Sequence, residues 1–138
     1  MCSCGVRNNT IVNNNITANV VGIRISNSNY NIIYHNLFDN TNQAQVTTGS
    51  TNTWNDNYPS GGNTWNGYSD VDVYSGPYQN ETGSDDIWDH PYVIDANNID
   101  NYPIVTEFPS SVILLLLMSL STIAVVFAKK KAFKKTDN

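Results

Sequence analysis

A 21-residue repeat constrains the fold of this chain more than any other feature. Thr10, Asn31 and Asn52 recur at this interval, and the positions that follow them keep the same spacing. The aligned sets are Ile11, Ile32 and Thr53; Val12, Ile33 and Trp54; Asn15, Asn36 and Asn57; and Ile16, Leu37 and Tyr58. A period of about twenty residues is typical of a solenoid, in which each turn buries its apolar side against the next turn.

The residue types at these positions predict an all-β fold, a parallel β-helix of about three 21-residue coils. Short β-branched runs suit strands, and Asn tolerates the left-handed backbone conformation that sharp corners require. An Asn-rich linker that does not fold is the alternative, but such a linker has no reason to keep apolar residues in register. We expect a core of Ile11, Ile16, Ile23, Ile25, Ile32 and Leu37, and a ladder of stacked amides at Asn15, Asn36 and Asn57.

The sequence divides into six predicted segments. Residues 1–9 form a flexible leader, residues 10–58 the coils, residues 59–104 a C-terminal cap and residues 105–107 a stalk. Residues 108–128 form one transmembrane α-helix, and residues 129–138 a basic tail. Because no segment is expected to cap the apolar end of the first coil, the chain is predicted to be the C-terminal end of a longer solenoid.

Aromatic residues dominate the predicted cap. Asn52-Thr53-Trp54-Asn55 is echoed by Asn63-Thr64-Trp65-Asn66, and several further rings follow. Large rings bury apolar area efficiently, as the open end of a solenoid requires. Exposed rings would instead stack on sugars, which makes Trp54, Trp65 and Trp88 candidate contacts for surface carbohydrate.

The most hydrophobic stretch predicts a single transmembrane helix. Residues 108–128 contain no charged side chain. As a helix they would span about 31 Å, close to the roughly 30 Å of a bilayer's hydrocarbon core. Five lysines follow, so the positive-inside rule places the C-terminus in the cytoplasm and the N-terminal part outside the cell, with membrane lipid as the partner. A buried helix of a soluble domain is the alternative.

The distribution of charge excludes one class of partner. The chain carries 12 Asp and Glu against 7 Lys and Arg, and the lysines all follow residue 128. The preceding part is therefore strongly acidic and would repel the phosphate backbone of nucleic acid. No nucleic-acid partner is expected.

The predicted coils carry few residues suited to catalysis. Polysaccharide hydrolysis requires carboxylates that converge on one face, but Asp39 and Asp56 do not occupy the same position of the 21-residue repeat. Arg24, His35 and His90 are isolated, so no catalytic residue is predicted. The alternative is the non-catalytic end of a carbohydrate-active enzyme of the polysaccharide lyase or hydrolase type.

An acidic cluster in the predicted cap offers the oxygen ligands that Ca²⁺ prefers. The candidate ligands are Asp85, Asp86 and Asp89, although their spacing lacks the glycine and distal glutamate of an EF-hand loop. Carboxylates that cap backbone N–H groups are the alternative interpretation, and no other cofactor is expected. Cys2 and Cys4 are too few for a closed zinc site.

Three Asn-x-Thr sequences begin at Asn8, Asn15 and Asn80. Each asparagine is a candidate N-glycosylation site if the segment is extracellular. In a chain so rich in Asn, chance alone could supply these sequences. They do not by themselves indicate a compartment.

A series of short motifs gives the chain a family resemblance. In order they are Tyr58-Pro-Ser-Gly-Gly-Asn-Thr-Trp-Asn, Val73-Tyr-Ser-Gly-Pro-Tyr-Gln-Asn-Glu-Thr-Gly-Ser-Asp, Pro91-Tyr-Val-Ile-Asp and Asn101-Tyr-Pro. Over residues 8–105 the chain resembles the C-terminal end of NosD-like right-handed parallel β-helix proteins of archaeal cell surfaces. The resemblance implies that fold and an extracytoplasmic location. A periplasmic metal-delivery role would need Met-rich or His-rich clusters that this sequence lacks.

The C-terminal region resembles the archaeal PEF-CTERM class of sorting signals. Glu107-Phe108-Pro109 precedes the apolar helix and the lysine-rich tail, although Thr106 stands where that motif has Pro. The resemblance implies a sorting protease-transferase that removes the helix and attaches the protein to another anchor. Retention of residues 108–128 as a permanent anchor is the simpler alternative.

These features together predict a structural or binding role rather than an enzymatic one. The chain would be the membrane-anchoring part of a parallel β-helix displayed at the cell surface. The coils would hold a rigid face away from the membrane, and the helix would fix it there.

Overall fold

The computed structural model describes residues 5–47 and 49–105. All regular secondary structure in these residues is β-strand, which confirms the predicted all-β class. The strands are β1 (Thr10–Val12), β2 (Asn15–Thr17), β3 (Val21–Ile25), β4 (Ile32–Tyr34), β5 (Leu37–Asp39), β6 (Asn42–Val46), β7 (Thr64–Trp65), β8 (Tyr74–Ser75), β9 (Glu81–Thr82), β10 (Tyr92–Asp95) and β11 (Asn98–Asp100).

The predicted transmembrane helix at residues 108–128 lies outside the described residues. The same is true of the basic tail at residues 129–138 and of the Glu107-Phe108-Pro109 motif. Residues 5–47 and 49–105 contain no helix that is long and apolar enough to cross a membrane.

The first six strands form two repeats of three strands each. Repeat one contains β1, β2 and β3, repeat two contains β4, β5 and β6, and repeat three contains Thr53 and β7. Each strand lies parallel to the strand at the same position of the next repeat: β1 pairs with β4, β2 with β5, β5 with β7, and β3 with β6. An isolated bridge joins Ile32 to Thr53. Successive repeats therefore stack in parallel along the chain.

The register between the first two repeats differs from the predicted constant 21-residue period. Thr10 pairs with Ile32 and Asn15 with Leu37, one position later than that period predicts, whereas Ile25 pairs with Val46 as it predicts. The difference arises between the second and third strands, where three residues connect β2 to β3 but only two connect β5 to β6. The extra residue restores the 21-residue interval within β3.

This change of register corrects the predicted core. A shift of one residue exchanges the two faces of a strand. Ile33 and Phe38 are therefore fully buried, whereas Ile32 is 40% exposed and Leu37 is only partly buried. The prediction was wrong for Ile32 and Leu37, while Ile25 is buried as expected. Ile11, Ile16 and Ile23 are partly buried and pack against the core.

Aromatic rings continue this core into the third repeat. The buried cluster comprises Ile25, Ile33, Phe38, Trp54 and Trp65. The Trp65 ring is stacked on Phe38 at a centroid distance of 4.5 Å and on Tyr92 at 4.2 Å. Tyr92 belongs to β10, so the stack joins the repeats to the residues that follow them.

Antiparallel pairing begins only after the repeats. β8 pairs with β9, and β10 pairs with β11 through a tight turn. A further antiparallel bridge joins Ile87 to Ile104. We call residues 92–100, which contain β10 and β11, the closing hairpin, because its side chains end the two hydrogen-bond ladders described below.

Candidate functional site

A ladder of side-chain amides runs along each of two corners of the repeats. The first ladder contains Asn9, Asn31 and Asn52 and ends at Asn98, with Nδ2···Oδ1 distances of 2.9, 2.8 and 3.4 Å. The second ladder contains Asn14, Asn36 and Asn63 and ends at Asp100, with distances from Nδ2 to the acceptor of 3.0, 3.0 and 3.4 Å. A shorter ladder joins Asn19 to Asn40 at 3.0 Å.

Both ladders have a fixed direction. In every step the Nδ2 group of the earlier repeat donates to the side-chain oxygen of the later repeat. That oxygen also accepts the backbone N–H of the earlier residue, as Asn36 Oδ1 does from Asn14 at 3.0 Å. Each buried amide also satisfies a backbone carbonyl, as Asn36 Nδ2 does for Ile11 at 2.9 Å. The ladders thus pair polar groups that burial would otherwise leave unsatisfied.

The predicted ladder of Asn15, Asn36 and Asn57 was wrong in two of its three members. Only Asn36 belongs to a ladder, whereas Asn15 and Asn57 are exposed. The second ladder steps by 22 residues from Asn14 to Asn36 and by 27 from Asn36 to Asn63. The longer step reflects the loop between Trp54 and β7, which a constant period does not allow for.

The six asparagines that the repeats contribute to the two longer ladders share a local signal that the 21-residue alignment did not reveal. Each lies two positions before an inward-facing apolar residue, in an Asn-x-apolar motif. The motifs are Asn9-Thr-Ile, Asn14-Asn-Ile, Asn31-Ile-Ile, Asn36-Leu-Phe, Asn52-Thr-Trp and Asn63-Thr-Trp. Four of the residues that precede these asparagines, Asn8, Asn13, Tyr30 and His35, take left-handed backbone conformations. The turn before each asparagine therefore directs its side-chain amide toward the next repeat. It also orients the following strand so that its apolar residue faces the core.

Asn98 ends the first ladder. Its Oδ1 accepts hydrogen bonds from the Asn52 backbone N–H at 3.1 Å and from Trp54 Nε1 at 3.2 Å. Its Nδ2 donates to the Ser50 carbonyl at 2.9 Å and to Asp95 Oδ1 at 2.8 Å. These two contacts use both hydrogens of the Asn98 side-chain amide, so no hydrogen remains to extend the ladder.

Asp100 ends the second ladder. Its Oδ2 accepts hydrogen bonds from the Asn63 backbone N–H at 2.7 Å and from Trp65 Nε1 at 2.9 Å, and its Oδ1 accepts the Tyr102 N–H at 3.2 Å. A carboxylate has no donor, which stops the ladder at this residue. Gly62 lies directly against the carboxyl group, and a Cβ atom at that position would overlap it.

Burial makes Asp100 sensitive to pH. The side chain is fully buried, and desolvation raises its pKa from 3.8 to about 6, although the four hydrogen bonds to its carboxylate act in the opposite direction. The folded protein therefore holds a proton on Asp100 between about pH 4 and pH 6, where the unfolded chain does not.

We expect Asp100 to make the protein more stable in mild acid. Its contribution is fully present below pH 4 and is lost as the pH rises through about 6, a difference on the order of 3 kcal/mol. Chemical denaturation from pH 4 to 8 of the parent and of Asp100→Asn measures this, because other carboxylates contribute equally to both proteins. A pH-independent difference between the two would contradict the expectation.

Two of the three acidic candidates for calcium cap backbone N–H groups. Asp85 accepts from the backbone N–H of Gly76 and Ile87, and Asp89 from those of Val73 and Tyr74. Asp86 is exposed in a left-handed turn. Among residues 5–47 and 49–105, no group of three or more His, Cys, Asp or Glu side chains is placed to hold a metal ion.

The tryptophans predicted to contact sugar have different surroundings. Trp54 and Trp65 are 0% and 2% exposed, so neither ring offers a face to a ligand, and that interpretation was wrong for both. Trp88 is partly exposed and makes an edge contact with Tyr68. Burial of the two rings agrees with the other interpretation of these aromatics, in which they cover the end of the core.

His35 and Asp56 share Ser60 as a hydrogen-bond partner, whereas Asp39 and His90 contact other residues. Asp39 accepts from Asn66 Nδ2 at 2.6 Å, and Asp56 accepts from the Ser60 hydroxyl at 2.9 Å. His35 Nε2 lies 2.7 Å from the Ser60 carbonyl. His90 is exposed and its Nδ1 lies 2.6 Å from Asp70 Oδ2.

The three glycosylation candidates, Asn8, Asn15 and Asn80, are all exposed.

Residues 3–70 match a family model described as periplasmic copper-binding protein (NosD). The match covers 68 of the 138 residues and ends before β8 and the closing hairpin. It supports a NosD-like protein at the level of the family. No curated protein and no solved structure matched the chain.

Proposed function

We propose that the chain is the membrane-proximal closing part of a NosD-like, right-handed parallel β-helix displayed at the cell surface. The observation that carries the proposal is the pair of amide ladders, which run through the repeats and end at Asn98 and Asp100. A stack that ends in this way is a terminus of a solenoid, as terminal repeats with polar outer faces are in other repeat proteins. Its role is structural: a rigid scaffold that holds binding surfaces away from the membrane.

The proposal also gives residues 108–128 the role of the membrane anchor. Their uncharged, apolar sequence and the lysines that follow support a single-pass topology with the repeats outside the cell. Glu107-Phe108-Pro109 would then stand at the outer surface, where a sorting protease-transferase would meet it. Copper delivery is not included, since the family description names copper but no described cluster of ligands accompanies it.

The location of the chain can be measured by membrane extraction and protease access. We expect the full chain to stay in the membrane fraction after alkaline carbonate washing, and added protease to digest the repeats of intact cells but not a tag on the C-terminus. The double substitution Leu115→Lys with Leu116→Lys should release the chain, because each central lysine costs about 2.5–3.5 kcal/mol on insertion scales.

The matched control replaces the same two leucines by isoleucine, which keeps the segment apolar. This control should extract like the parent. Recovery of the parent chain in the soluble fraction, or equal extraction of the lysine and isoleucine variants, would contradict the proposed anchor.

A further inference from the structure

An open hollow of about 320 Å³ lies between the third repeat and the closing hairpin. It is lined in part by Thr53, Asn55 and Asn57 on the side of the repeat, and by Asn97 and Asn101 on the other side. Its volume is within the range of sites that bind small molecules. None of the lining residues carries a charge, so the hollow is polar and neutral.

Asn55 is buried but has an unused donor. The residue is 5% exposed, and its Oδ1 accepts the Asn57 backbone N–H at 3.2 Å. This contact fixes the orientation of the amide, and Nδ2 makes no hydrogen bond within residues 5–47 and 49–105. Nδ2 is not sealed from solvent, because the enclosed side-chain atom without a partner in those residues is Gln79 Oε1. Asn55 therefore presents its donor to the hollow that it lines.

The other buried asparagines of the described chain have no such unused donor. Each donates its Nδ2 to a backbone carbonyl: Asn31 to Val6, Asn36 to Ile11, Asn52 to Ser28, Asn63 to Ile33 and Asn98 to Ser50. A buried amide donor without a partner is unfavourable. A hydrogen-bond acceptor supplied by a ligand would therefore complete Asn55 in the way that the chain itself completes the others.

The side chains around Asn55 define the chemistry of that ligand. Thr53, Asn57, Asn97 and Asn101 are exposed, and their side chains make no hydrogen bond within the part of the chain that the structure describes. Amide and hydroxyl groups both donate and accept, which matches a ligand with several adjacent hydroxyl groups. Ile99 adds an apolar contact suited to the C–H face of a sugar ring. No carboxylate lines the hollow to hold a cation, and no Lys or Arg lines it to hold an anion.

We propose that this hollow, the Asn55 hollow, binds one neutral sugar residue. The Asn55 Nδ2 group donates to a ring hydroxyl, and the exposed amides of Asn97 and Asn101 bond its neighbours from the opposite side. The site deepens the proposed function and rests on it, since sugar at a cell surface reaches the hollow only if the repeats lie outside the cell.

Titration with neutral methyl glycosides tests the site in the full chain. The chain is held in phosphocholine micelles, because glucoside and maltoside detergents would themselves supply sugar. The probes are the methyl glycosides of glucose, galactose and mannose. We expect at least one to shift the side-chain amide signal of Asn55, with a dissociation constant of about 1–10 mM, as suits a ligand of this size. Glucuronate, an anionic sugar, should bind about tenfold more weakly because the surrounding protein is acidic.

Asn55→Asp separates the donor from the rest of the site. Aspartate still accepts the Asn57 N–H but has no Nδ2 donor when ionised, so binding should weaken about tenfold or more. The matched control is Asn29→Asp, because Asn29 Oδ1 also accepts a backbone N–H, that of Thr51 at 2.7 Å, outside the hollow. This control should bind like the parent. Saturation transfer from protein to glycoside compares the variants, and circular dichroism checks that they are folded.

A second variant covers the case in which Asn55→Asp does not fold. Asn97→Ala with Asn101→Ala changes two exposed side chains and should weaken binding about tenfold while the fold is kept. No binding of any neutral glycoside to the parent, or equal binding to the parent and to the folded variants of the hollow, would overturn the proposal. So would contacts from the Asn55 amide to residues 106–138, which would show that the chain itself fills the hollow. Recovery of the parent in the soluble fraction would contradict the anchor but would leave the titration unchanged.

Discussion

Replacement of Asn63 by leucine should strongly destabilise the repeats. Asn63 is fully buried, and its Nδ2 donates to the carbonyls of Ile33 at 3.0 Å and Trp54 at 2.7 Å. Its Oδ1 accepts both the backbone N–H and the Nδ2 of Asn36. Each buried group left without its partner costs about 1–3 kcal/mol, so we expect a loss of about 3–5 kcal/mol in the free energy of unfolding.

The matched control is Asn14→Leu in the same ladder. Asn14 is exposed, so water can replace its hydrogen bonds, and the loss should stay near about 1 kcal/mol. Denaturation with urea, followed by circular dichroism, compares the two variants with the parent. Equal losses at the two positions would show that the buried ladder does not stabilise the stack.

Truncation of Trp65 should be comparably severe. The ring is 2% exposed and stacked between Phe38 and Tyr92, and its Nε1 donates to Asp100. Removal of a large buried ring typically costs about 3–5 kcal/mol. We therefore expect Trp65→Ala to separate the closing hairpin from the repeats and to lower the unfolding midpoint accordingly.

Two further variants separate the causes of that loss. Trp65→Phe keeps an aromatic ring but removes the N–H donor, and should cost about 1–3 kcal/mol because the Asp100 carboxylate loses a partner. Tyr78→Ala removes a ring that is 84% exposed and should change stability by less than about 0.5 kcal/mol. If Trp65→Ala were as mild as Tyr78→Ala, the ring stack would not hold the hairpin in place.

The all-β class was predictable because the chain repeats itself, but of the buried cluster only Ile25 was predicted. The β-branched runs at Ile11, Ile16 and Ile25 all lie in strands. The register was not predictable from a constant period, because the connection between β2 and β3 is one residue longer than its counterpart. That residue decides whether Ile32 or Ile33 faces inward. The Asn-x-apolar motif carries the correct register, since it is defined locally at each corner.

The ends of the ladders could not be predicted by periodicity. Asn98 and Asp100 lie far from the repeats in sequence, 46 residues from Asn52 and 37 from Asn63. Nothing in their local sequence distinguishes Asp100 from the other acidic residues of that region. Only the stacking of β11 on the third repeat makes it a buried acceptor, whereas Asp85 and Asp89 cap backbone N–H groups of other loops.

The tryptophans illustrate how burial decides between two interpretations of the same residue. Trp54 and Trp65 follow the ladder residues Asn52 and Asn63 by two positions, which places both rings inside. Composition alone favoured neither the core nor a sugar-binding surface. Their position in the motif was the informative feature.

Nuclear Overhauser contacts between side chains test the stacked arrangement most directly. The structure requires contacts between Ile11 and Ile33, which pair across the first two repeats, and between the rings of Phe38 and Trp65. It also requires the Trp65 indole N–H to lie close to Asp100. A spectrum of the full chain in micelles that shows these contacts supports the stacked repeats closed by the hairpin. Contacts in a constant 21-residue register, such as Ile11 with Ile32 and Leu37 with Tyr58, or no long-range contacts, would contradict it.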